Sequence, residues 1–279
     1  MSALDTFENK TAFITGAASG IGLALSHALV AKGVNVMMAD IDSEKLMAAA
    51  ASLKTPDRVE TVVCNVADYA SVKEAATATV NRFGKVHLLF NNAGVSLAGQ
   101  NGAISVKDWR WIVDINLMGV VHGIEIFLPL IQSHGEGGYV VNTASMAGHY
   151  ASAYMSPYNA TKFAVVGYSE GLRLELEDTK IGVSVLCPTW VRSNIYNAHG
   201  GAPSLARCDV DFTQSPIYQA SKKIIDNGMR AENFADLTLR AIEQNRFYVF
   251  NDSEARGAID ARRNHILRDY DECLSDMEG

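Results

Sequence analysis

The sequence predicts a single-domain α/β fold: a doubly wound parallel sheet of seven strands with helices on both faces. Three observations carry this expectation. Seven short runs, at 11–15, 34–39, 59–64, 87–90, 139–143, 183–187 and 247–250, are apolar throughout rather than alternating, as in parallel strands covered on both faces. Helical stretches separate them, and such alternation calls for right-handed crossovers between parallel strands. No fixed repeat, low-complexity tract or Pro/Gly-rich linker interrupts residues 1–279, so one domain is expected.

The helices follow in order. Residues 21–31 carry an apolar stripe, and 43–53 are alanine-rich. A capping box, Ser71-x-x-Glu74, is expected to open the third helix, whose Val72, Ala76, Val80 and Phe83 share one face. Long helices are expected at 106–132 and 157–178. Trp109, Trp111 and Phe127 supply large apolar area there, for a subunit interface or for the monomer core. Residues 189–230 break the alternation, with Gly200, Gly201, Pro203 and Pro216 and no strand. An insertion after a strand's carboxyl end, where such sheets bind ligands, reads as a substrate lid. Residues 254–279 read as a helical extension, with Ile259, Ile266, Leu267, Tyr270, Leu274 and Met277 near helical spacing.

Composition narrows the function. Hydrophobic residues make up 48% and charged residues 20%, an ordinary globular balance. Lys+Arg number 24 against 31 Asp+Glu, a formal net charge of −7, which argues against a nucleic-acid partner. Cys64, Cys187, Cys208 and Cys273 lie far apart with no CxxC, so a reducing, cytoplasmic setting is expected. The seven histidines show no metal spacing, so no metal is expected. The first ten residues hold no apolar signal region. The longest apolar stretch, about 120–131, contains His122, Glu125 and Pro129 and reads as too short and too polar for a membrane span.

Four features carry chemistry. Thr15-Gly16-Ala17-Ala18-Ser19-Gly20-Ile21-Gly22 follows a strand and opens a helix. Glycines there allow a tight turn and close backbone approach to a diphosphate, which the helix N-terminus attracts; an ordinary βα turn is the plainer alternative. Asp40 ends the second strand, 24 residues after Gly16. A carboxylate there accepts both ribose hydroxyls and repels a 2′-phosphate, favouring NAD over NADP. Tyr158 and Lys162, at i and i+4, share a helix face, and a nearby ammonium stabilises a phenolate. Ser145 lies just past the fifth strand, 13 residues before Tyr158. Alone, Tyr158 and Lys162 are more often a solvated helix pair, and Ser145 a helix cap or loop turn.

Together with Asn91-Asn92-Ala93-Gly94, Asn116 and Cys187-Pro188, these residues resemble the short-chain dehydrogenase/reductase family over about 8–195. The resemblance implies a Rossmann sheet, with Tyr158 as catalytic acid/base and Ser145 polarising the substrate oxygen. Lys162 would bind the nicotinamide ribose and depress the Tyr158 pKa, and Asn116 would hold a proton-relay water. The NAD site would be lined by Gly16, Ser19, Gly20, Ile21, Gly22, Asp40, Asn65, Val66, Asn92, Ala93, Gly94, Tyr158, Lys162, Pro188, Val191 and Ser193. Three departures stand out. Asn65 replaces a frequent acidic residue beside the adenine, and its amide oxygen can still accept. Thr189-Trp190 replaces the glycine that commonly follows Pro188. Ser193 replaces a threonine and keeps the hydroxyl.

By position Ser96, Leu97, Met146, His149, Tyr154, Trp190, Ile195 and Tyr196 line a substrate cleft suited to a bulky apolar or aromatic alcohol or ketone. The stretch 142–148 and the C-terminal segment also resemble bacterial dehydrogenases of lignin-type aryl alcohols. The expectation is an NAD(H)-dependent oxidoreductase interconverting a secondary alcohol and a ketone, assembled as a homotetramer. The rivals are an NADPH-dependent carbonyl reductase, a non-catalytic nucleotide-binding regulator, and an isomerase or dehydratase with bound NAD.

Overall fold

The computed structural model describes residues 6–195, 201–203, 216–253 and 255–278. Its seven strands form one sheet with every pairing parallel, in the order β3-β2-β1-β4-β5-β6-β7. The strands are β1 (Thr11–Thr15), β2 (Asn35–Asp40), β3 (Val59–Val63), β4 (Leu88–Asn91), β5 (Gly138–Thr143), β6 (Ile181–Cys187) and β7 (Tyr248–Phe250). The expected strands are all present, with ends moved by one or two residues. Strand order reverses between β1 and β4, which opens a crevice at their carboxyl ends.

Helices cover both faces. On one, α1 (Gly20–Ala31) and α8 (Ala231–Glu243) bury Leu25, Leu29, Phe234 and Leu239 against β1, β2 and β4. On the other lie α3 (Tyr69–Phe83), α5 (Gly119–Ser133) and α6 (Ser156–Glu175), which bury Val72, Ile124, Phe127 and Val165. Phe127 stacks on Phe13 of β1 at 4.3 Å between ring centroids, so it belongs to the monomer core. The remaining helices are α2 (Ser43–Ser52), α4 (Val106–Val113), α7 (Pro216–Asp226) and α9 (Arg256–Glu278).

Three expectations need correction. The third helix begins at Tyr69, because the Asp68 carboxylate accepts from the Ala70 N–H and caps it earlier; Ser71 instead accepts from the Asn65 N–H. β3 is an edge strand covered incompletely, with Val63 57% exposed. The apolar stretch around 120–131 belongs to a longer helical run, Val106–Ser133, which is long and apolar enough to cross a membrane. That run packs on the sheet through Ile124, Phe127 and Ile131 and is broken in register by a π turn, Asp114–Met118.

Candidate active site

The crevice is built from the carboxyl ends of β1, β2, β4, β5 and β6. Gly16 and Gly20 have positive φ, +66° and +53°. A Cβ on Gly16 would stand 2.9 Å from Ala93 Cα, and one on Gly22 would stand 2.3 Å from the Gly16 carbonyl oxygen. Only glycine lets these two loops approach so closely. Thr15 and Asn92 lock them together. The Thr15 hydroxyl accepts from the Asn92 and Ala93 N–H groups at 2.9 and 3.0 Å, and Asn92 Nδ2 donates to the Thr15 carbonyl at 2.9 Å.

This cradle fits a dinucleotide diphosphate. Ser19 is the N-cap of α1 but its hydroxyl caps no N–H, and the first turn carries no acidic side chain. The helix therefore offers donors and its positive dipole end to an anion. Ile21 follows inside that turn, and Ser193 approaches from the opposite side, its Cβ 2.9 Å from where a Gly20 Cβ would stand. The Asp40 carboxylate accepts from the Ala18 N–H (3.1 Å) and the Asp42 N–H (3.1 Å), which fixes it at the loop's rim. Val66 is buried, whereas Asn65 is exposed and its amide oxygen accepts from the Ala67 N–H. These residues fit a nicotinamide dinucleotide on the chemistry of the donor set.

The reacting groups converge across the crevice. The Ser145 hydroxyl accepts from the Ala147 N–H at 3.1 Å and lies at a long 3.4 Å from the Pro188 carbonyl, so its proton is weakly held. It is also the hydrogen-bonding neighbour of the Tyr158 phenol. Lys162, 3% exposed, donates from Nζ to the Thr143 carbonyl at 2.9 Å. Burial pushes its pKa down to about 8, with the neighbouring Cys187 opposing. Burial raises the Tyr158 pKa and the Ser145 bond opposes that rise. Lys162 Nζ stands 5.6 Å from the Tyr158 ring centroid. In the chain alone the half-buried phenol therefore stays protonated, its pKa raised by desolvation rather than lowered by Lys162.

Asn116 sits in the π turn, 1% exposed. Its Oδ1 accepts from the Val95 N–H (2.8 Å), and Nδ2 donates to the Val95 carbonyl (2.9 Å) and to Thr161 Oγ1 (3.2 Å). Asn116 Oδ1 and Lys162 Nζ both border Gly94, 3.4 and 3.5 Å from where its Cβ would stand. Beneath the site a buried chain runs from Asn91 Nδ2 to Asn142 Oδ1 (2.9 Å), from Asn142 Nδ2 to Ser169 Oγ (3.0 Å), and on to the Val165 carbonyl (2.7 Å). It ties β4, β5 and α6 at the level of the reacting groups. Thr15, Thr161, Asn142 and Ser169 had no assigned role in the sequence reading. Their polarity inside apolar runs was the available signal.

The expected substrate residues divide. Leu97 is buried with Ile112 and Ala202, and Val95, Ile104, Trp111 and Tyr158 pack against them. This apolar wall stands beside the phenol, and a Cβ on Gly201 would lie 3.4 Å from Trp111 Cζ2. Residues 201–203 thus return to the site, and Trp111 joins it, which the sequence reading did not assign. Met146 is buried, and Ser96 and Ile195 are half-buried. His149 points elsewhere: its Nε2 lies 3.2 Å from Cys187 Sγ, and its ring packs on Tyr248 and Phe250. Tyr154 and Trp190 are exposed, 66% and 52%. Tyr196 lies outside the described residues. Val191 is buried and bridges to Met229, while Thr189 donates twice to Asn251 Oδ1.

Away from the crevice, His87, His134 and Glu136 lie close enough to share a cation. His87 Nδ1 accepts from the Thr11 N–H, so its Nε2 donates to Glu136. His134 Nε2 donates to the Val86 carbonyl and its Nδ1 accepts from the Glu136 N–H. Both imidazoles are committed, and Lys10 and Lys85 already neutralise the carboxylate. The cluster is an ion-pair network, not a ligand set.

A family model described as short chain dehydrogenase matches residues 10–200. A "CLA biosynthesis dehydrogenase/reductase" of Lactiplantibacillus plantarum is 32% identical over 98% of both chains. A cyclohexanol dehydrogenase of an Acinetobacter species is 34% identical over 67% of this chain and 75% of that one. A solved short chain dehydrogenase/reductase from Burkholderia phymatum in complex with NAD superposes with a TM-score of 0.89. It is 34% identical and covers 95% of this chain and 97% of its own.

Proposed function

The chain is an oxidoreductase of the short-chain dehydrogenase family, and from that premise we propose that it interconverts a secondary alcohol and a ketone with NAD(H), on a bulky apolar or aromatic substrate. The observation that carries this reading is the Ser145–Tyr158 pair, with a protonated phenol facing an apolar wall of Leu97, Ile112 and Trp111.

When bound, the nicotinamide supplies the hydride acceptor or donor. Every proton and charge is then handled by the chain. In ketone reduction Tyr158 gives its proton to the carbonyl oxygen while Ser145 donates a second hydrogen bond. In alcohol oxidation Tyr158 must first lose its own proton toward the Lys162 side, and the resulting phenolate then takes the hydroxyl proton. Two donors aimed at the oxygen where charge develops form the preorganised arrangement that usually contributes most to the rate. Once Tyr158 has given up its proton, the Lys162 charge favours the phenolate. With its pKa near 8, Lys162 passes a proton onward at near-neutral pH, toward the space over Gly94 that Asn116 also borders.

Asp40 supports NAD over NADP, because a fixed carboxylate at the loop's rim repels a 2′-phosphate and neither Ser19 nor Ile41 offsets it. The segment around 189–230 acts as the substrate lid, supported by Ala202 packing with Leu97 and Tyr158. The chain assembles as a homotetramer, with α4, α5 and α6 pairing across a two-fold axis. In its support, the most apolar window of Val106–Ser133 is only 39% buried in the monomer. We place the protein in the cytoplasm on its buried free thiols, Cys64 and Cys187, and assign it no membrane or nucleic-acid partner.

The test is a panel of secondary alcohols, cyclic, aryl and long-chain, assayed with NAD and with NADP by appearance of the reduced cofactor. The reading expects turnover with NAD at least tenfold above NADP on an apolar cyclic or aryl member. Preference for NADP, or turnover confined to small polar alcohols, would contradict it.

A further inference from the structure

We infer that α9 pairs antiparallel with the α9 of a second copy of this chain, about a two-fold axis near Tyr270. The helix Arg256–Glu278 has 23 residues and is about 35 Å long. Its start is tied to the body by Ala255 and Ile259 in the core and by Arg262, whose guanidinium lies 5.0 Å from the Phe163 ring centroid. From Asp260 to Met277 every side chain is exposed. A helix in water draws most of its stability from an apolar face packed on something else.

Such a face exists. Ile266, Leu267, Tyr270, Leu274 and Met277 recur every three or four residues and are 43% to 81% exposed. That spacing makes one continuous stripe, the pattern of a two-helix seam. It begins where Ile259, on the same face, leaves the core.

The charges select the occupant. Arg256, Arg262, Arg263 and Arg268 precede Tyr270, with Asp260 and Asp269 the acids among them; Asp271, Glu272, Asp276 and Glu278 follow it with no base. This order opposes the helix's own dipole, which favours acids at the start and bases at the end. The first turn has no acid and the last turn no base. Within the helix Arg268 pairs with its neighbour Asp269 at 3.2 Å, whereas the pairs one turn apart, Arg256–Asp260 at 3.7 Å and Arg268–Glu272 at 3.9 Å, are long. Among the described residues Arg263 and Asp276 have no ion-pair partner. The arrangement that costs an isolated helix stabilises an antiparallel pair: each basic half lies along the other's acidic half, the dipoles oppose, and the stripes meet. A parallel pair would set basic on basic. An axis at Tyr270 brings Ile266 opposite the partner's Leu274 and sets Arg263 beside the partner's acidic last turn. Self-complementarity about a two-fold is the signature of an isologous contact. This contact uses none of the helices assigned to the tetramer above, and it does not rest on the proposed reaction.

Exposed Cys273 reports the pairing directly. In this geometry the two Cys273 thiols lie within about 15 Å, since each is one turn from the axis on helices roughly 9 Å apart. The experiment treats the full chain, carrying Cys208→Ser, with a bismaleimide of that reach at micromolar protein. The expected result is a covalent dimer on a denaturing gel. Arg263→Glu/Arg268→Glu should lower its yield at least fivefold. Adding Asp271→Lys/Asp276→Lys to the same chain, which inverts both halves, should restore it. Circular dichroism checks that each variant keeps its fold. No dimer with wild-type charges, or a yield indifferent to the reversal, would overturn the proposal.

Discussion

Lys162 donates to the backbone carbonyl of Thr143 at 2.9 Å, and among the described residues it faces no carboxylate. Its charge is buried with a single neutral acceptor, which is why its pKa falls to about 8. In the proposed function a side chain placed at such cost serves the reaction rather than the fold.

The cost is measurable. The folded-state pKa lies below the usual lysine value, so the unfolded chain binds the proton more tightly, and this group's contribution to stability rises with pH from about 8 to 10.5. Lys162→Met removes the buried charge and keeps the volume. Thermal melting at pH 7 should show Tm raised by about 2–4 °C, as for roughly 1 kcal/mol in a domain of this size. Turnover should fall by at least about 100-fold, the scale of a lost acid–base group. A fall in Tm would mean that the Thr143 bond outweighs the burial.

Asp40→Ala should narrow the preference for NAD over NADP at least tenfold in titrations with the reduced cofactors, because the ribose acceptor and the repulsion leave together. The Ala18 and Asp42 N–H groups lose their acceptor. The loop should lose about 1–3 kcal/mol of stability. An unchanged cofactor ratio would remove Asp40 from the cofactor site.

Trp111→Ala should raise KM for the best panel substrate about tenfold, since it strips an apolar wall beside Tyr158. The same variant should leave NADH binding within a factor of two. A defect in NADH binding instead would place Trp111 in the scaffold of the cofactor cleft.

Acid should destabilise the fold in two stages. Burial lowers the pKa of His87, and of His149, so the unfolded chain takes up protons first. Their contribution is full above about pH 6.5 and is lost as pH falls through that value toward the folded pKa. Glu136 is held well below the usual carboxylate range by Lys85, then His87 and Lys10, so its contribution is lost only below about pH 4.5. Denaturant midpoints between pH 8 and 2 should decline from about 6.5 downward and fall again below about 4.5. Glu136→Gln should flatten the part below about 4.5 and steepen the upper part, because Glu136 holds the His87 pKa up against burial.

Much of this was legible in the sequence because it is local. The apolar runs located every strand, Gly16 to Gly22 announced the turn on which the cradle is built, and Tyr158 with Lys162 showed their spacing. What escaped depends on partners distant in the chain. Thr15 binds Asn92 and Ala93, Asn142 joins Asn91 to Ser169, and Trp111 meets Gly201 and Ala202. The third helix started early because Asp68 took the capping role before Ser71. Spacing shows the ammonium beside Tyr158 but not the desolvation that raises its pKa in the chain alone.

The central claim is that the Tyr158 phenol moves the proton while the glycine loop and Asp40 hold the cofactor independently. Comparing wild type with Tyr158→Phe, on the best panel alcohol and with NAD, tests it most directly when NADH affinity is measured on the same samples. The account predicts turnover lowered by at least about 1,000-fold, within the range for a lost general acid–base group, with the NADH dissociation constant within a factor of two. Turnover within tenfold of wild type would contradict it.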